Sequence, residues 1–428
     1  MPATPPASSA TASNPAASDA EAFPVSGPTV PAMAYAERRR ALGEQLGGGI
    51  GLVFAGKAGH EEANWRPHPH FEYLCGVTDE PNAMLLLDPN HPVESRRAIL
   101  FRRPLDPELE QWDGLREPVT KALRDRYGVG TIHRTDRLGR VLSEIGGRTR
   151  RLVCVHPLAT IDQPVSPDLA VFRRVAERTP GVDIVDGSSL IPAMRAVKDG
   201  AEVAMIRHAG AITARGFAAA LDTVRPGISE FALQQALEHT YRMNGSRGPA
   251  YGTIVGSEIN STVLHYRAND RTIQADEVIC IDSGAEYGGY GADVTRTIPS
   301  GGRFTPRQRE LYSIVLESLD AGIAAVKAGA TMADVDRASR KIINDAGYGD
   351  FFIHGIGHHL GLETHDTCGS GPLEVGAVVT VEPGIYLPDE GIGIRIEDDI
   401  VVTEGGNENL TGGIPRTIDE IEAAIGGN

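Results

Sequence analysis

The chain has 428 residues, of which 41% are hydrophobic and 23% are charged, a composition typical of soluble globular proteins. Its 57 acidic residues outnumber its 41 basic residues, and the resulting formal net charge of −16 argues against a nucleic-acid partner. No segment approaches the roughly 20 consecutive apolar residues that a membrane span needs, so no membrane partner is expected. The length is sufficient for two packed domains.

Residues 1–34 are predicted to form a disordered tail. Its first 31 residues are rich in Ala, Ser, Thr and Pro and carry almost no charge. Such a segment cannot bury enough apolar surface to offset the conformational entropy that ordering would cost. It also lacks the apolar core of a secretory signal, so we expect no secretory leader.

The four cysteines are spread along the chain and form no C-x-x-C pair. Cys154 and Cys280 lie within apolar runs, where a buried, reduced thiol is the expected state. Reduced thiols predict a cytoplasmic location.

Residues 35–190 are predicted to form an α/β N-terminal domain. A helical pattern begins at Tyr35 and ends at the glycine run 47–49. Short apolar runs that are typical of strands follow at 50–56, 83–88, 97–103, 151–156 and 182–187. Helical segments lie between several of them, around 117–126 and 165–178. None of these segments carries chemically reactive residues at a catalytic spacing.

From about residue 195 onward, the sequence predicts a second domain with an internal pseudo-two-fold repeat. Residues 195–224 indicate a junction and a long amphipathic helix. Residues 224–245 and 326–347 then align without a gap at an offset of 102. In each copy a glycine turn precedes an N-cap hydroxyl, a helix and a terminal glycine. The matched positions are Gly227 and Gly329, Ser229 and Thr331, and Gly245 and Gly347.

Each half of the repeat also supplies two acids next to apolar strands. EVICIDSG (277–284) matches GAVVTVEPG (376–384), so Asp282 corresponds to Glu382, and a second acid, Asp293 or Glu397, follows in each half. Carboxylates inside apolar runs are costly unless they are paired or bind a cation. Four of them in one place would repel one another, and two divalent cations would roughly balance their charge. The pattern therefore predicts a two-metal site.

A histidine cluster lies just before the acid of the second half. HGIGHHLGLETHD contains His354, His358, His359 and His365 within twelve residues. A mainly carboxylate site with one imidazole suits Mn²⁺, Co²⁺ or Zn²⁺ better than a thiolate-preferring metal. Two such ions make a bridging water acidic enough for hydroxide to attack a carbonyl near neutral pH. The expected reaction class is metal-assisted hydrolysis of an amide.

Taken in order, these motifs resemble the pita-bread metallopeptidases, which include methionine aminopeptidases, aminopeptidase P and prolidase. The matching motifs are D-x-G, D-x-T-R-T, H-G-x-G-H-x-x-G-L-x-x-H-D, V-E-P-G and G-I-R-I-E-D-D. The resemblance covers about residues 195–425 and implies that they form an α+β catalytic domain with the pita-bread fold. It also implies five metal ligands: Asp282, Asp293, His358, Glu382 and Glu397. Two divalent ions are expected, with Mn²⁺ preferred and Co²⁺ or Zn²⁺ as alternatives.

The N-terminal domain narrows the resemblance to aminopeptidase P. YAERRRALGEQL, FEYLCGVTDEPNAMLLL and ILFRRPLDPELEQWDG are similar to its N-terminal domain, and ENLTGGIPRTIDEIEA is similar to its C-terminal end. The resemblance implies a metallo-aminopeptidase that releases the first residue of peptides with proline second, by attack of a hydroxide bridging the metals. It further implies a homodimer or homotetramer.

Two alternative functions stay open at this level. Prolidases share the architecture and cut only Xaa-Pro dipeptides. Some relatives have lost their metals and act as binding proteins on the same fold or as metal-free hydrolases, and the loss of even one ligand would favour that class.

The resemblance also implies individual roles. Glu382 would both bind metal and move the proton between the nucleophile and the leaving proline nitrogen. His265 and His365 are expected to take part in catalysis and, together with His354, to contact the substrate. Arg395 is expected to orient carboxylates and to lie in the substrate site.

One segment departs from the family pattern. THDTCGSG (364–371) stands where the family commonly has V-H-D-V-G. Thr364 and Cys368 are therefore expected to reshape the rim of the pocket.

Overall fold

The computed structural model describes residues 27–58, 65–369 and 371–426. Most of the tail predicted for residues 1–34 lies outside the described residues, and within them the first helix begins at Ala32. In the described ranges, no helix combines the length and the apolar character needed to cross a bilayer.

A mixed six-stranded sheet organises the N-terminal part, with the strand order β4-β3-β2-β1-β5-β6. Strands β1, β2 and β3 pair antiparallel, whereas β5 pairs parallel to β1, β6 to β5 and β4 to β3. The strands are β1 (Ile50–Phe54), β2 (Met84–Leu87), β3 (Ala98–Arg102), β4 (Thr131–Arg134), β5 (Arg151–Cys154) and β6 (Asp183–Asp186). Five of the six lie inside the predicted runs. The edge strand β4 was not predicted, because Ile132 is its only fully buried residue.

Seven helices accompany this sheet in the described residues. They are α1 (Ala32–Gln45), α2 (Pro69–Cys75), α3 (Pro107–Asp113), α4 (Lys121–Tyr127), α5 (Leu138–Gly146), α6 (Pro167–Ala176) and α7 (Leu190–Ala196). Helices α4 and α6 overlap the segments that the sequence predicts. The predicted α/β class of this part is confirmed.

The C-terminal part contains three three-stranded antiparallel sheets, β12-β9-β8, β13-β16-β17 and β11-β10-β7, and the two-stranded pair β14-β15. Its strands are β7 (Gly248–Pro249), β8 (Ile254–Ser257), β9 (Val278–Asp282), β10 (Ala285–Tyr287), β11 (Tyr290–Gly291), β12 (Thr295–Pro299), β13 (Val378–Val381), β14 (Gly384–Leu387), β15 (Ile392–Arg395), β16 (Asp398–Thr403) and β17 (Gly406–Asn409). Its helices are α8 (Gly200–Thr223), α9 (Glu230–Met243), α10 (Pro306–Ala325), α11 (Met332–Asp345) and α12 (Ile418–Gly426).

The internal repeat is present in the structure. Helices α9 and α11 begin at 230 and 332 and end at 243 and 345, so the offset of 102 holds at both ends. The Ser229 and Thr331 hydroxyls cap these helices by accepting backbone N–H groups three residues later. Glycines with positive φ stand before and after each helix, at Gly227 (91°), Gly245 (90°), Gly329 (84°) and Gly347 (86°). The predicted α+β pita-bread class with a pseudo-two-fold repeat is confirmed.

One apolar core joins the two halves of the repeat. It combines buried side chains of helices α8 to α11 with the inward faces of the β12-β9-β8 and β13-β16-β17 sheets. The Glu397 N–H donates to the Thr295 carbonyl oxygen at 3.0 Å, and the Arg395 N–H donates to the Thr297 hydroxyl at 3.1 Å. These bonds hold the end of β15 against β12. The strand ends that carry the four predicted acids therefore meet.

Candidate active site

Four carboxylates lie at equivalent strand ends of the two halves. Asp282 is the last residue of β9, and Glu382 directly follows β13. Asp293 lies two residues before β12, and Glu397 directly precedes β16. Asp293 and Glu397 are buried, whereas Asp282 and Glu382 are partly buried. The folding of two antiparallel sheets thus brings together acids that are up to 115 positions apart in the sequence.

The His358 ring lies among these acids. Its Nε2 is 3.5 Å from Asp293 Oδ2 and 3.6 Å from Glu382 Oε1. Its Nδ1 lies 3.0 Å from the His359 carbonyl oxygen, so Nδ1 carries the donated proton and Nε2 is free to bind a cation. The Thr380 N–H on β13 donates to the His358 carbonyl oxygen, and the His358 N–H donates to the Thr380 hydroxyl, which fixes the segment.

Gly357 allows this close approach to β13. Its φ is 152°, and a Cβ there would lie 2.2 Å from the Thr380 carbonyl oxygen. A larger residue at position 357 would push the His358 segment away from the strand.

A cavity of about 550 Å³ opens onto this cluster. All nine residues predicted for the site line it: Asp282, Asp293, His358, Glu382, Glu397, His265, His354, His365 and Arg395. Within the described residues, Asp293, His358 and Glu397 offer ligand atoms that all lie within 4.8 Å of one another. Whether each of the five ligands binds metal stays a prediction.

The electrostatics of the cluster fit divalent cations. Burial raises the pKa of Glu397 well above its ordinary value, and the Asp293, Glu382 and Asp282 carboxylates raise it further. Burial likewise raises the pKa of Glu382 to about 7, although His358 and Arg395 oppose the shift. Ionised carboxylates held this way repel one another, and positive charge among them relieves the repulsion. The residues present therefore suit a metal pair.

The same field acts on His358. Burial lowers its pKa, but the hydrogen bond to Asp293 and the negative charges of Asp293 and Glu382 raise it to about 9. The acids thus favour positive charge at the Nε2 position.

Arg395 is buried and orients the acids. Its guanidinium donates to Asp282 Oδ2 at 2.8 Å, to the Thr295 hydroxyl at 3.1 Å and to the Tyr386 hydroxyl at 3.0 Å. The Thr295 hydroxyl in turn donates to Glu397 Oε2 at 2.7 Å. One arginine therefore fixes one carboxylate directly and a second through a threonine.

The remaining histidines occupy different parts of the cavity wall. His354 Nε2 lies 2.8 Å from the Tyr386 hydroxyl, and its Nδ1 lies 4.0 Å from Glu382 Oε2. The His365 ring packs against the His358 ring at a tilt of 39°, with 4.1 Å between centroids. His265 is exposed and lies in a turn after β8 rather than on a strand.

At the rim of the cavity, Thr364 lines the wall as expected. Cys368 is exposed but is not among the lining residues, so the structure supports only Thr364 in this role.

Sequence reasoning missed Tyr251. Its hydroxyl donates to Asp282 Oδ1 at 2.6 Å, and burial together with the Asp282 charge raises its pKa well above the ordinary value. No motif spacing links it to Asp282, so the sequence carried no signal for this contact. Thr295, in contrast, lies inside the D-x-T-R-T motif, and its hydroxyl two positions after Asp293 was a signal that could have been used.

Comparisons with known proteins agree in both parts of the chain. Residues 204–404 match metallopeptidase family M24, and residues 35–154 match the aminopeptidase P N-terminal domain. The chain is 35% identical to the Xaa-Pro aminopeptidase of Escherichia coli K12, over 91% of this chain and 97% of that protein. It is 34% identical to the Xaa-Pro aminopeptidase of Haemophilus influenzae, over 84% and 88%.

Two solved structures are similar over nearly their whole length. Aminopeptidase P from Escherichia coli with the inhibitor Pro-Leu superposes with a TM-score of 0.83 at 33% identity, covering 93% of this chain and 99% of that one. Aminopeptidase PepP of Pseudomonas aeruginosa gives 0.82 at 32% identity, covering 93% and 98%.

Proposed function

Because the chain belongs to metallopeptidase family M24, we propose that its cavity removes the first residue of peptides that have proline in second position. The protein is a metal-dependent Xaa-Pro aminopeptidase. The observation that carries this function is the cavity lined by all nine predicted residues, in a chain whose relatives of that activity match both of its parts. The prolidase alternative is not favoured, and a metal-free binding protein has no need of this acidic cluster.

We infer that Asp282, Asp293, His358, Glu382 and Glu397 hold two divalent ions. The short distances among Asp293, His358 and Glu397 and the mutual repulsion of the carboxylates support this assignment. When bound, the two ions polarise the scissile carbonyl and lower the pKa of a water so that it serves as the nucleophile near neutral pH. Mn²⁺ is the proposed metal, because carboxylate-rich sites with one imidazole suit it.

Glu382 is proposed to carry the proton. The proline nitrogen of the substrate has no hydrogen, so it must gain a proton to leave as a secondary amine. Glu382 lies at the end of β13 between His354 and His358, on the wall of the cavity. A carboxylate in that place can take a proton from the water and deliver it to the leaving nitrogen.

His265, His354 and His365 are proposed to bind and orient the peptide. All three line the cavity, and His354 is held by the Tyr386 hydroxyl. Neutral imidazoles can donate to the substrate carbonyls or accept from its amine. Arg395 keeps the carboxylates in place beneath them.

We further propose a cytoplasmic enzyme that works as a homodimer or homotetramer. Buried free thiols at Cys75, Cys154 and Cys280 suit a reducing compartment. On and beside α3, the side chains of Leu109, Trp112 and Leu115 are exposed, and an apolar patch of this kind suits contact with a second copy.

A peptide series tests the activity. Metal-stripped protein is expected to be inactive and to recover with Mn²⁺ or Co²⁺. The restored enzyme should release the first residue from an Xaa-Pro-Xaa tripeptide and from a longer Xaa-Pro peptide, as measured by chromatography of the products. Matched peptides with alanine second are the control. Cleavage of the Xaa-Pro dipeptide alone would identify a prolidase, and full activity of the metal-free protein would contradict the metal mechanism.

A further inference from the structure

The loop that carries His365 folds back onto the segment that carries His358. The Asp366 N–H donates to the His359 carbonyl oxygen at 2.8 Å, which closes the loop next to the metal-site histidine. The His365 ring packs against the His358 ring, with 4.1 Å between centroids and the planes tilted by 39°. His365 itself is exposed, so little packing holds its ring. Its position therefore depends on how its neighbour Asp366 is held.

Two buried cations hold the Asp366 carboxylate. Arg195 Nη2 donates to Asp366 Oδ1, and Lys198 Nζ lies 3.1 Å from Asp366 Oδ2. The side chains of Arg195, Lys198 and Asp366 are 1%, 1% and 2% exposed. Removing one partner of a buried ion pair leaves an uncompensated charge and is strongly destabilising. The three charged side chains therefore hold one another in place. A carboxylate with a cation on each oxygen has little freedom to rotate.

Arg195 also connects the loop to the N-terminal part of the chain. Its Nη2 donates to Glu363 Oε2 at 2.7 Å, on the same loop, and its Nη1 lies 3.0 Å from His70 Nδ1 on α2. Arginine is always protonated, so the ring nitrogen of His70 accepts the hydrogen bond. One guanidinium thus binds a helix of the N-terminal part and two positions of the loop that ends at Asp366.

Two backbone contacts confine this cluster. The Lys198 N–H donates to the Gly376 carbonyl oxygen at 2.9 Å, which fixes the lysine beside the start of β13. A Cβ on Gly361 would lie 2.1 Å from Asp366 Oδ2, so the carboxylate packs directly on the loop backbone. Neither Arg195 nor Lys198 lines the catalytic cavity.

We propose that Arg195 and Lys198 are positioning residues that act through Asp366 to hold the His365 ring in place for catalysis. The inference rests on the proposed function, because His365 has its role only in that reaction. Through the contact between His70 and Arg195, the N-terminal part of the chain then helps to set the geometry of the active site. Misplacing a catalytic group by about 1 Å can cost about 100-fold in rate.

A double-mutant cycle tests the proposal. Asp366→Asn keeps the shape of the side chain and removes its charge, and it is introduced into the parent enzyme and into His365→Ala. In the parent enzyme we expect kcat on a Xaa-Pro tripeptide to fall by about 10- to 100-fold while KM changes by less than about threefold. In the His365→Ala background the same change should alter kcat by less than about twofold, because the group being positioned is absent. Bound metal, measured by mass spectrometry, should stay at the parent level.

A buried ion pair elsewhere provides the matched control. Glu80, in the loop before β2, and Arg102, at the end of β3, form one with side chains 2% and 4% exposed. Glu80→Gln is expected to lower the thermal midpoint while kcat stays at the parent value. If Asp366→Asn does not fold, Lys198→Gln, which leaves Arg195 on Asp366, replaces it in the cycle, with a smaller kcat loss expected.

Three results would overturn the proposal. Equal kcat losses in both backgrounds would show that Asp366 acts on the fold as a whole. Loss of metal from Asp366→Asn would show that it supports the ligands instead. A parent enzyme that leaves Xaa-Pro peptides uncut would overturn the proposed function and, with it, this inference.

Discussion

The Asp282 carboxylate illustrates how single residues are fixed in this site. One oxygen accepts from the Tyr251 hydroxyl and the other from Arg395. Partners of this kind orient a ligand and set its basicity, and their removal commonly costs about 10- to 100-fold in metal affinity. Tyr251 therefore belongs to the metal site although it is not an expected ligand.

Removing the Tyr251 hydroxyl should weaken metal binding. We expect Tyr251→Phe to lower Mn²⁺ affinity by about 10-fold, because Asp282 loses a hydrogen bond that orients it. Competition with a metal chelator measures the change. Tyr312→Phe is the control, since its buried hydroxyl donates to the Arg416 carbonyl oxygen away from the cavity. Equal affinities in the parent and in Tyr251→Phe would show that the hydroxyl does not support the ligand.

At the scale of elements, the repeat shows which parts of the fold are locally encoded. Helices α9 and α11 begin and end at matched positions, because each has its own glycine turn and its own N-cap hydroxyl. The cap at Thr331 is reinforced by Asp334, whose carboxylate accepts the Thr331 N–H at 2.9 Å. These signals lie within a few residues of one another, so they could be predicted.

The cap at Thr331 offers a test at this scale. Thr331→Ala should destabilise α11 by about 1 kcal/mol, because the Asp334 N–H loses its side-chain acceptor. Hydrogen exchange of the first-turn amides of α11 should become faster. Thr331→Ser retains the hydroxyl and should keep most of the protection. Unchanged exchange in Thr331→Ala would mean that tertiary packing alone determines where the helix begins.

Across the whole molecule, a group of buried histidines couples stability to pH. His68, His70 and His156 lie together in the N-terminal part, with ring centroids 4.6 Å apart for His68 and His156. Burial, with the neighbouring His156 and Arg195, lowers the pKa of His68 to about 3. Burial also lowers the pKa of His70 to about 2 and that of His156 below its ordinary value. The folded protein keeps these rings neutral where the unfolded chain would protonate them.

Stability should therefore fall as pH drops below about 6.5, the ordinary histidine pKa. In that window the unfolded chain binds protons that the folded protein does not, and each such histidine adds a slope of up to about 1.4 kcal/mol per pH unit. His68→Asn keeps a side-chain acceptor for the His70 N–H but cannot titrate. We expect its thermal midpoint to depend less on pH than the parent's between about pH 7 and about pH 5. Identical pH profiles would contradict this account.

Nine of the residues that line the cavity could be predicted from the sequence because each lies inside a short motif. Contacts between distant segments could not be predicted in this way. Arg195 and Asp366 are 171 positions apart, and Tyr251 and Asp282 come from segments with no shared pattern. The edge strand β4 was missed for a different reason, since only one of its four residues is fully buried and it lacks an apolar run. The reactive side chains could thus be predicted from local motifs, whereas the contacts that position them depend on the tertiary fold.

The division of the carboxylates between the two halves has a consequence for biosynthesis. The ribosome synthesises Asp282 and Asp293 well before Glu382 and Glu397, which follow about a hundred residues later. A nascent or prematurely terminated chain that ends before Glu397 lacks this ligand, so it cannot assemble the proposed ligand set. The proposed metal site, and with it exopeptidase activity, can therefore form only after Glu397 has been synthesised.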